Sequence, residues 1–146
     1  MIGNNYGGGL SSVERYDPLT NSWTTVSPMS TARVKHVSAA LDGKLYACGG
    51  WHVSNRTALT SVERYDPDTD SWETVAPMRT ARNLSSAAVI DGKLYVAGGE
   101  NGPTGIGGWL EERLSTVERY DPSANVWEEV APMIKARSGF VLCSFD

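Results

Sequence analysis

The sequence is poor in the residue types on which membrane proteins and most metal-dependent enzymes rely. Its 146 residues include only two cysteines, two histidines and two phenylalanines. No apolar run approaches the roughly 18 residues of a membrane span, and the first residues show no signal-peptide pattern. The charged residues are scattered, and a net charge of −4 offers no basic patch for nucleic acid. We therefore predict neither a membrane protein nor a nucleic-acid-binding protein.

The few cysteines and histidines also argue against a catalytic centre. Cys48 and Cys143 lie in apolar, strand-like segments and share no metal-ligand spacing with His36 or His52. Both thiols are predicted to be buried and reduced, which favours the cytoplasm or the nucleus, and we expect the cytoplasm. No Ser–His–Asp order, phosphate-binding glycine loop or zinc-protease motif is present. The sequence thus predicts a protein that needs no metal or cofactor and is not an enzyme.

What the chain does have is an internal repeat. Its 15 glycines, 7 prolines and 5 tryptophans are spread along the whole length, as is typical of short strands joined by turns. Five landmarks return in one order: a Tyr-Asp-Pro turn, a Trp seven residues after the Tyr, Pro-Met, Ala-Arg and a glycine doublet. The landmark residues include Tyr16, Tyr65, Tyr120, Trp23, Trp72, Trp127, Gly49-Gly50 and Gly98-Gly99. Such self-similarity indicates a repeat architecture.

Each repeat is predicted to form four antiparallel strands. An apolar run precedes Asp91-Gly92, whose glycine accepts the positive φ of a two-residue hairpin. The second strand then ends at the glycine doublet, the third alternates apolar and polar residues, and the fourth carries the Trp. The repeated Tyr and Trp are expected to pack one blade on the next. The boundaries are a partial blade at 1–31, full blades at 32–80 and 81–135, and the first strand of a further blade at 136–146.

These landmarks resemble the Kelch repeat, and the resemblance covers essentially the whole chain. It implies an all-β fold, a Kelch-type β-propeller of four-stranded antiparallel blades, with about three blades here. The wording Ser-Val-Glu-Arg-Tyr-Asp-Pro at residues 61–67 is most similar to the BTB–Kelch adaptors of cullin ubiquitin ligases. That likeness implies a scaffold that binds a partner peptide on its loop face, within the ubiquitin conjugation pathway.

Other functions remain open at this point. Kelch proteins also bind actin and the cytoskeleton, and near-identical repeats are compatible with an engineered or fragment propeller that has no natural ligand. The enzymatic Kelch-fold oxidases need a copper site with two histidines, whereas His36 and His52 occupy different places in the repeat. Three blades do not close a ring, so we expect either part of a larger propeller or a homodimer that completes a six-bladed ring.

Arginine marks the first candidate binding set. Arg33, Arg82 and Arg137 each stand just before an innermost strand, and Asn83 and Ser138 follow two of them. A guanidinium fork suits carboxylates, so the set predicts an acidic peptide ligand. The alternative is that these arginines brace neighbouring blades by salt bridges. The recurring glutamates at 14, 63 and 118, each beside an arginine, are expected to form surface pairs along the strands.

Aromatic and polar residues in the variable loops form the second set. Tyr6, Trp51 and Trp109 lie outside the packing register, and exposed Tyr and Trp are good binding anchors. His52 and Asn55 share the loop of Trp51. The alternative is that these side chains plug each loop against its own blade. The enlarged, glycine-rich loop at 101–109 is expected to be functional or disordered.

Overall fold

The fold consists of β-strands, turns and loops. The computed structural model describes residues 2–5, 8–102 and 112–144, and over these ranges it contains no helix, hence none that could cross a membrane. The strands are β1 (Ile2–Asn5), β2 (Gly8–Asp17), β3 (Ser22–Val26), β4 (Val37–Leu41), β5 (Lys44–Cys48), β6 (Trp51–His52), β7 (Thr57–Ala58), β8 (Val62–Asp66), β9 (Ser71–Val75), β10 (Ser86–Ile90), β11 (Lys93–Ala97), β12 (Val117–Asp121) and β13 (Val126–Val130).

Three consecutive antiparallel sheets repeat one design. The first sheet has the order β1-β2-β3, the second β4-β5-β8-β9 and the third β10-β11-β12-β13. A two-stranded ribbon, β6-β7, is inserted between the second and third strands of the second sheet. The two four-stranded sheets approach each other most closely through β4 and β10, their innermost strands. The predicted all-β fold with about three propeller blades is confirmed.

Tight hairpins set the register of each full blade. Leu41 pairs with Lys44 across Asp42-Gly43, where both turn residues have positive φ, 50° and 71°. The same turn recurs at Asp91-Gly92, with φ of 49° and 67°. Two consecutive positive φ values match the right-handed twist of the flanking strands, and Asp-Gly adopts them readily. The predicted hairpin is therefore present in both blades.

The core lies between the blades rather than within one sheet. Its centre is an edge-on contact between Tyr46 and Tyr120, whose ring centroids are 5.7 Å apart. Tyr120 in turn lies 5.0 Å from Trp127, and both are buried. The predicted packing role is confirmed for Tyr120, Trp127 and Tyr65, and Tyr46 joins them. In the first blade the equivalents are largely exposed, Tyr16 at 42% and Trp23 at 51%, since none of the described residues forms a blade against them.

Polar contacts join successive blades near the same aromatic residues. In each full blade the Trp indole donates to a backbone carbonyl of the preceding blade. The Tyr hydroxyl donates to an Asp or Asn that accepts an amide hydrogen bond from the preceding blade. The contacts are Trp72 to Ser27 O at 2.8 Å, Trp127 to Ala76 O at 2.8 Å, Tyr65 to Asp70 at 2.8 Å, Tyr120 to Asn125 at 2.8 Å, Ser27 N to Asp70 at 2.9 Å and Ala76 N to Asn125 at 2.9 Å.

Two expectations need correction. Residues 136–144 form no strand, because a strand needs a hydrogen-bonded neighbour and this segment has no such ladder. Its Leu142 amide donates instead to the Ser86 side chain at 2.8 Å. Cys143, in the same segment, is exposed, whereas Cys48 is buried as expected, and burial raises the pKa of its thiol to about 12.

Candidate protein-interaction site

The long loops of the blades gather at one end of the sheets. This end, here called the doublet end, carries the glycine doublets and the connecting segments 27–36, 49–61 and 76–85. The opposite end, here called the hairpin end, carries the short turns at 42–43, 67–70 and 91–92. Most of the candidate residues from the sequence therefore belong to the doublet end.

Arg33 is fixed inside the doublet end of the second blade and has no exposed surface. Its Nη1 donates to the carbonyls of Gly49 at 2.7 Å and Ser61 at 3.1 Å. Its Nη2 donates to Glu63 Oε1 at 2.7 Å in a fully buried ion pair. The guanidinium thus links the connecting segment to both middle strands of the blade.

Arg82 repeats this arrangement in the third blade. It is also fully buried and donates to the carbonyls of Gly98 at 2.8 Å and Thr116 at 2.9 Å. Its Nη2 lies 3.0 Å from Glu118 Oε1. We call Arg33–Glu63 and Arg82–Glu118 the two arginine clamps.

Each clamp glutamate also holds the connecting segment by its backbone. Glu63 accepts hydrogen bonds from the Ser30 and Thr31 amides at 2.7 and 3.1 Å. Burial would raise the pKa of Glu63, but its hydrogen bonds from Arg33 and Ser30 outweigh that effect and lower the pKa below the ordinary value. Glu118 accepts equivalent bonds from Arg79 and Thr80. The clamp carboxylates are thus structural groups.

These contacts bear directly on the predicted roles. Arg33 and Arg82 form salt bridges, as the bracing alternative expected, but each bridge lies within one blade and does not join two neighbouring blades. Both guanidiniums are fully buried, so neither presents an exposed donor to an acidic peptide. The expectation that Glu63 and Glu118 lie in surface pairs is wrong, since both are buried in the clamps, whereas Glu14 is exposed. Arg137 is exposed and stays a candidate contact residue.

Glycine is required where the segments cross. A Cβ on Gly49, whose φ is 62°, would lie 2.4 Å from the Arg82 carbonyl oxygen. A Cβ on Gly50 would lie 2.7 Å from Val34 O and 2.8 Å from the His36 Cβ. The doublet therefore lets the backbone of one blade lie directly against the segment that leads to the next.

Beyond the clamps, a short backbone ladder forms the rim of the doublet end. In the second blade Val34 pairs with Trp51, and Trp51 pairs with Ala58 in the β6-β7 ribbon. Trp51 is only 6% exposed, which matches the alternative in which it packs its loop against the blade. His52 is half-buried, and its Nδ1 accepts from the exposed Asn55 amide at 3.3 Å.

The third blade has the same ladder with polar residues. Asn83 pairs with Glu100, and Glu100 pairs with Arg113. Asn83 is fully buried, and its Nδ2 donates to the Glu100 carbonyl at 3.0 Å. The Ser138 hydroxyl donates to Glu100 Oε1, and Ser138 is half-buried. The structure therefore brings Asn83 and Ser138 together on Glu100.

Two predicted contact residues, Tyr6 and Trp109, lie outside the described residues. Three residues of the doublet end were not among the predicted contact residues: Glu100, Arg113 and His36. Each occupies a repeat position that holds a different residue type in the other blade. That lack of repetition is the signal that could have identified them, because scaffold positions repeat and ligand-reading positions vary.

A second concave region lies away from this end. A cavity of about 290 Å³ separates the first two blades near the hairpin end. Its apolar walls include Val13, Val26, Leu45 and Tyr65. It presents few polar groups to orient a ligand, so it is a weaker candidate than the doublet end. Over the residues whose placement is described, no group of metal-ligating side chains is present.

The chain belongs to the Kelch-repeat family. The family model for the Kelch motif matches residues 3–30, 32–79 and 81–134, which together make up most of the sequence. Similar proteins include Kelch-like protein 26 of Danio rerio, 45% identical over 49 residues, and that of Mus musculus, 44% identical over 52 residues. The Kelch-like ECH-associated protein 1A of Danio rerio is 45% identical over 43 residues.

The matched stretches are short in both directions. They cover 32%, 36% and 30% of this chain and 8%, 9% and 7% of the respective relatives. The chain therefore matches less than a tenth of each relative's length. What the likeness supports at that coverage is a protein-interaction module built of Kelch repeats.

Proposed function

We propose that this chain binds a peptide segment of a partner protein at its doublet end, and that it is not an enzyme. The observation that carries the proposal is the contrast between repeating and varying positions. The clamps at Arg33 and Arg82 are alike in partners and burial, whereas the rim changes from Trp51 to Glu100 at one structural position. A rigid frame with variable rim residues is how a repeat scaffold acquires specificity.

We further propose that the chain is the substrate-recognition part of a cullin ubiquitin ligase adaptor in the cytoplasm. The support is its likeness to proteins named Kelch-like, including an ECH-associated one. The repeat wording at residues 61–67 agrees with that class. Because the chain matches only a small share of those relatives, the ligase connection is an inference from family membership.

The proposal also includes a preference for acidic peptides and a homodimer. A preference for acidic segments now depends on Arg113 and Arg137, which are exposed, because Arg33 and Arg82 are bound internally. Pairing of two copies into a six-bladed ring would cover the exposed Tyr16 and Trp23 of the first blade. Light scattering on the purified chain tests this second expectation, which requires a mass near twice 15.8 kDa.

The peptide-binding proposal is tested with peptides selected from a random display library against the 146-residue chain. Replacing Asn55 and Arg137 by alanine at the doublet end is expected to weaken binding about tenfold or more. The matched control replaces Leu19 and Asp68, which are exposed at the hairpin end. Equal binding by both sets of variants, or loss only in the hairpin-end variants, would place the site elsewhere.

A further inference from the structure

Glu100 differs from the other buried carboxylates of the doublet end. Glu63 and Glu118 each receive an arginine and two backbone amides. Glu100 is 4% exposed, and its carboxylate receives the hydroxyl of Ser138. It forms no ion pair with any residue in the described part of the chain. Among the described residues, Glu100 thus has one side-chain donor and no ion pair, whereas each clamp glutamate has at least three donor groups.

A second unmet acceptor lies beside it. The Oδ1 atom of Asn83 is buried and has no hydrogen-bond partner, although the residue is fully enclosed. Its Nδ2 donates to the Glu100 carbonyl, and because Oδ1 and Nδ2 share one carbon atom, Oδ1 is held next to Glu100. An amide oxygen without a donor therefore lies beside a carboxylate that has no ion pair.

The chain supplies no cation to this place from the adjoining loop. Residues 101–112 contain two glutamates and no lysine, arginine or histidine. Arg113, which pairs with Glu100 through the backbone, is exposed and makes no ion pair with it. Glu100 therefore lacks the ion pair that each clamp glutamate has, although the exposed Arg113 is its backbone neighbour.

We infer that Glu100 is a subsite for a cationic side chain, a lysine or arginine of the partner's peptide, and that Asn83 Oδ1, which is enclosed in the ligand-free chain, becomes a second acceptor when the Ser138 side chain moves aside. This deepens the proposed function and rests on it. An ammonium group carries three donors and a guanidinium five, enough to satisfy Glu100 and Asn83 Oδ1 together. The Ser138 hydroxyl can rotate away and give up its place on the carboxylate.

The subsite is specific to the third blade. The equivalent pair in the second blade is Val34 with Trp51, which offers no charge. A partner therefore meets an apolar rim on one blade and an anionic acceptor on the next. The order of the apolar rim and the anionic acceptor along the doublet end fixes the direction in which a peptide with one basic residue lies across it.

The test is a positional-scanning library of nonapeptides in which Lys, Arg, Gln or Glu is fixed at each position in turn. The 146-residue chain is probed as wild type, as Glu100→Gln, and as Glu112→Gln, an exposed glutamate of the same loop. We expect Lys and Arg to be favoured over Gln and Glu at one position by roughly tenfold. Glu100→Gln should lose this preference and Glu112→Gln should keep it.

Urea unfolding of the ligand-free variants separates binding from folding. Glu100→Gln should be at least as stable as the wild type, because it removes a buried charge that has no ion pair among the described residues. Marked destabilisation would show that Glu100 is already satisfied within the fold, and the inference would be wrong. Binding without a basic preference would overturn the inference while the proposed function stands. If no peptide binds, both are overturned.

Discussion

The second and third blades have the same backbone and different rims. In the second blade, Trp51 pairs with both Val34 and Ala58 across the rim. In the third blade, Glu100 pairs in the same register with Asn83 and Arg113. The first set is an apolar plug. The second set contains a fully buried amide, a buried carboxylate and an exposed cation.

The comparison separates two kinds of position within one repeat. The clamp arginines, the glycine doublets and the Asp-Gly hairpins are alike in both blades. Each supports a backbone conformation or a close backbone approach that recurs in every repeat. The rim residues support no backbone conformation that needs a particular side chain, because the same backbone pairing forms with Trp51 and with Glu100. They are therefore free to differ, and specificity resides in them.

The strongest test of the shared frame is removal of a clamp arginine. Arg33→Met and Arg82→Met each leave a glutamate buried without its cation, at a cost of about 3–5 kcal/mol in the free energy of unfolding. The two effects should be similar in size, because both guanidiniums are fully buried and each pairs with one buried glutamate. Urea denaturation with tryptophan fluorescence measures both.

Arg64→Met is the matched control for the clamps. Arg64 pairs with the largely exposed Glu73 across β8 and β9 of the same blade, and its guanidinium also contacts the Tyr46 hydroxyl. Exposed ion pairs contribute little, so this variant should unfold near the wild-type midpoint. A clamp variant as stable as Arg64→Met would mean that the clamps are not what secures the connecting segments.

Trp51→Ala tests the apolar rim. The indole is almost fully buried, and its loss should cost about 3 kcal/mol through lost burial and the cavity that remains. Trp23→Ala, which removes a half-exposed indole from the first blade, should cost clearly less. Similar losses for both variants would show that Trp51 does not plug its loop, and would return it to the candidate contact residues.

Much of the frame could be predicted from the repeat itself. Landmarks such as Asp91-Gly92 require a particular backbone conformation, here a two-residue hairpin. The order of the strands and the positions of the hairpins could therefore be predicted from them. Recurrence in register also gave the packing roles of Tyr120 and Trp127. Residues that recur in every repeat mark the backbone conformations that every blade needs. Propeller blades share nearly all of these conformations, so recurrence predicts most of the frame.

The site could be predicted only in part, for two physical reasons. Arg33 suits either an acidic ligand or an internal carboxylate, and the choice depends on whether Glu63, 30 residues later, faces it. Period-two alternation places Glu63 on one face of its strand without showing that this face is enclosed at that end. The position of Glu100 is held by Trp51 in the other blade, so no recurring residue type drew attention to Glu100.

A pH experiment sharpens the comparison at His36, whose counterpart in the third blade is Ser85. Burial, with a smaller contribution from Arg33, lowers the pKa of His36 from 6.5 to about 4. The unfolded chain therefore binds the proton first as pH falls, and stability decreases below pH 6.5. The expected loss is about 1.4 kcal/mol by pH 5.5.

Urea unfolding at pH 7.5 and 5.5 measures this loss, which is the slope of the free energy of unfolding against pH. His36→Asn should flatten it, and His52→Asn, in the half-buried ribbon loop, is the control that should not. The clamp carboxylate of Glu63 does not interfere, because its pKa is lowered and its contribution is lost only at more acidic pH. An unchanged slope in His36→Asn would mean that His36 is accessible to protons in the folded state.

The smallest expected effect lies at the hairpin end, where the two blades should not differ at all. Gly43 and Gly92 have φ of 71° and 67°, and a Cβ at either position would meet no atom within 4 Å. Alanine there should therefore cost only the backbone strain of the left-handed region, about 1 kcal/mol. Equal shifts in the urea midpoints of Gly43→Ala and Gly92→Ala would confine the difference between the blades to the doublet end. Unequal shifts would show that the rim residues alter the stability of the whole blade, because the turns themselves are the same.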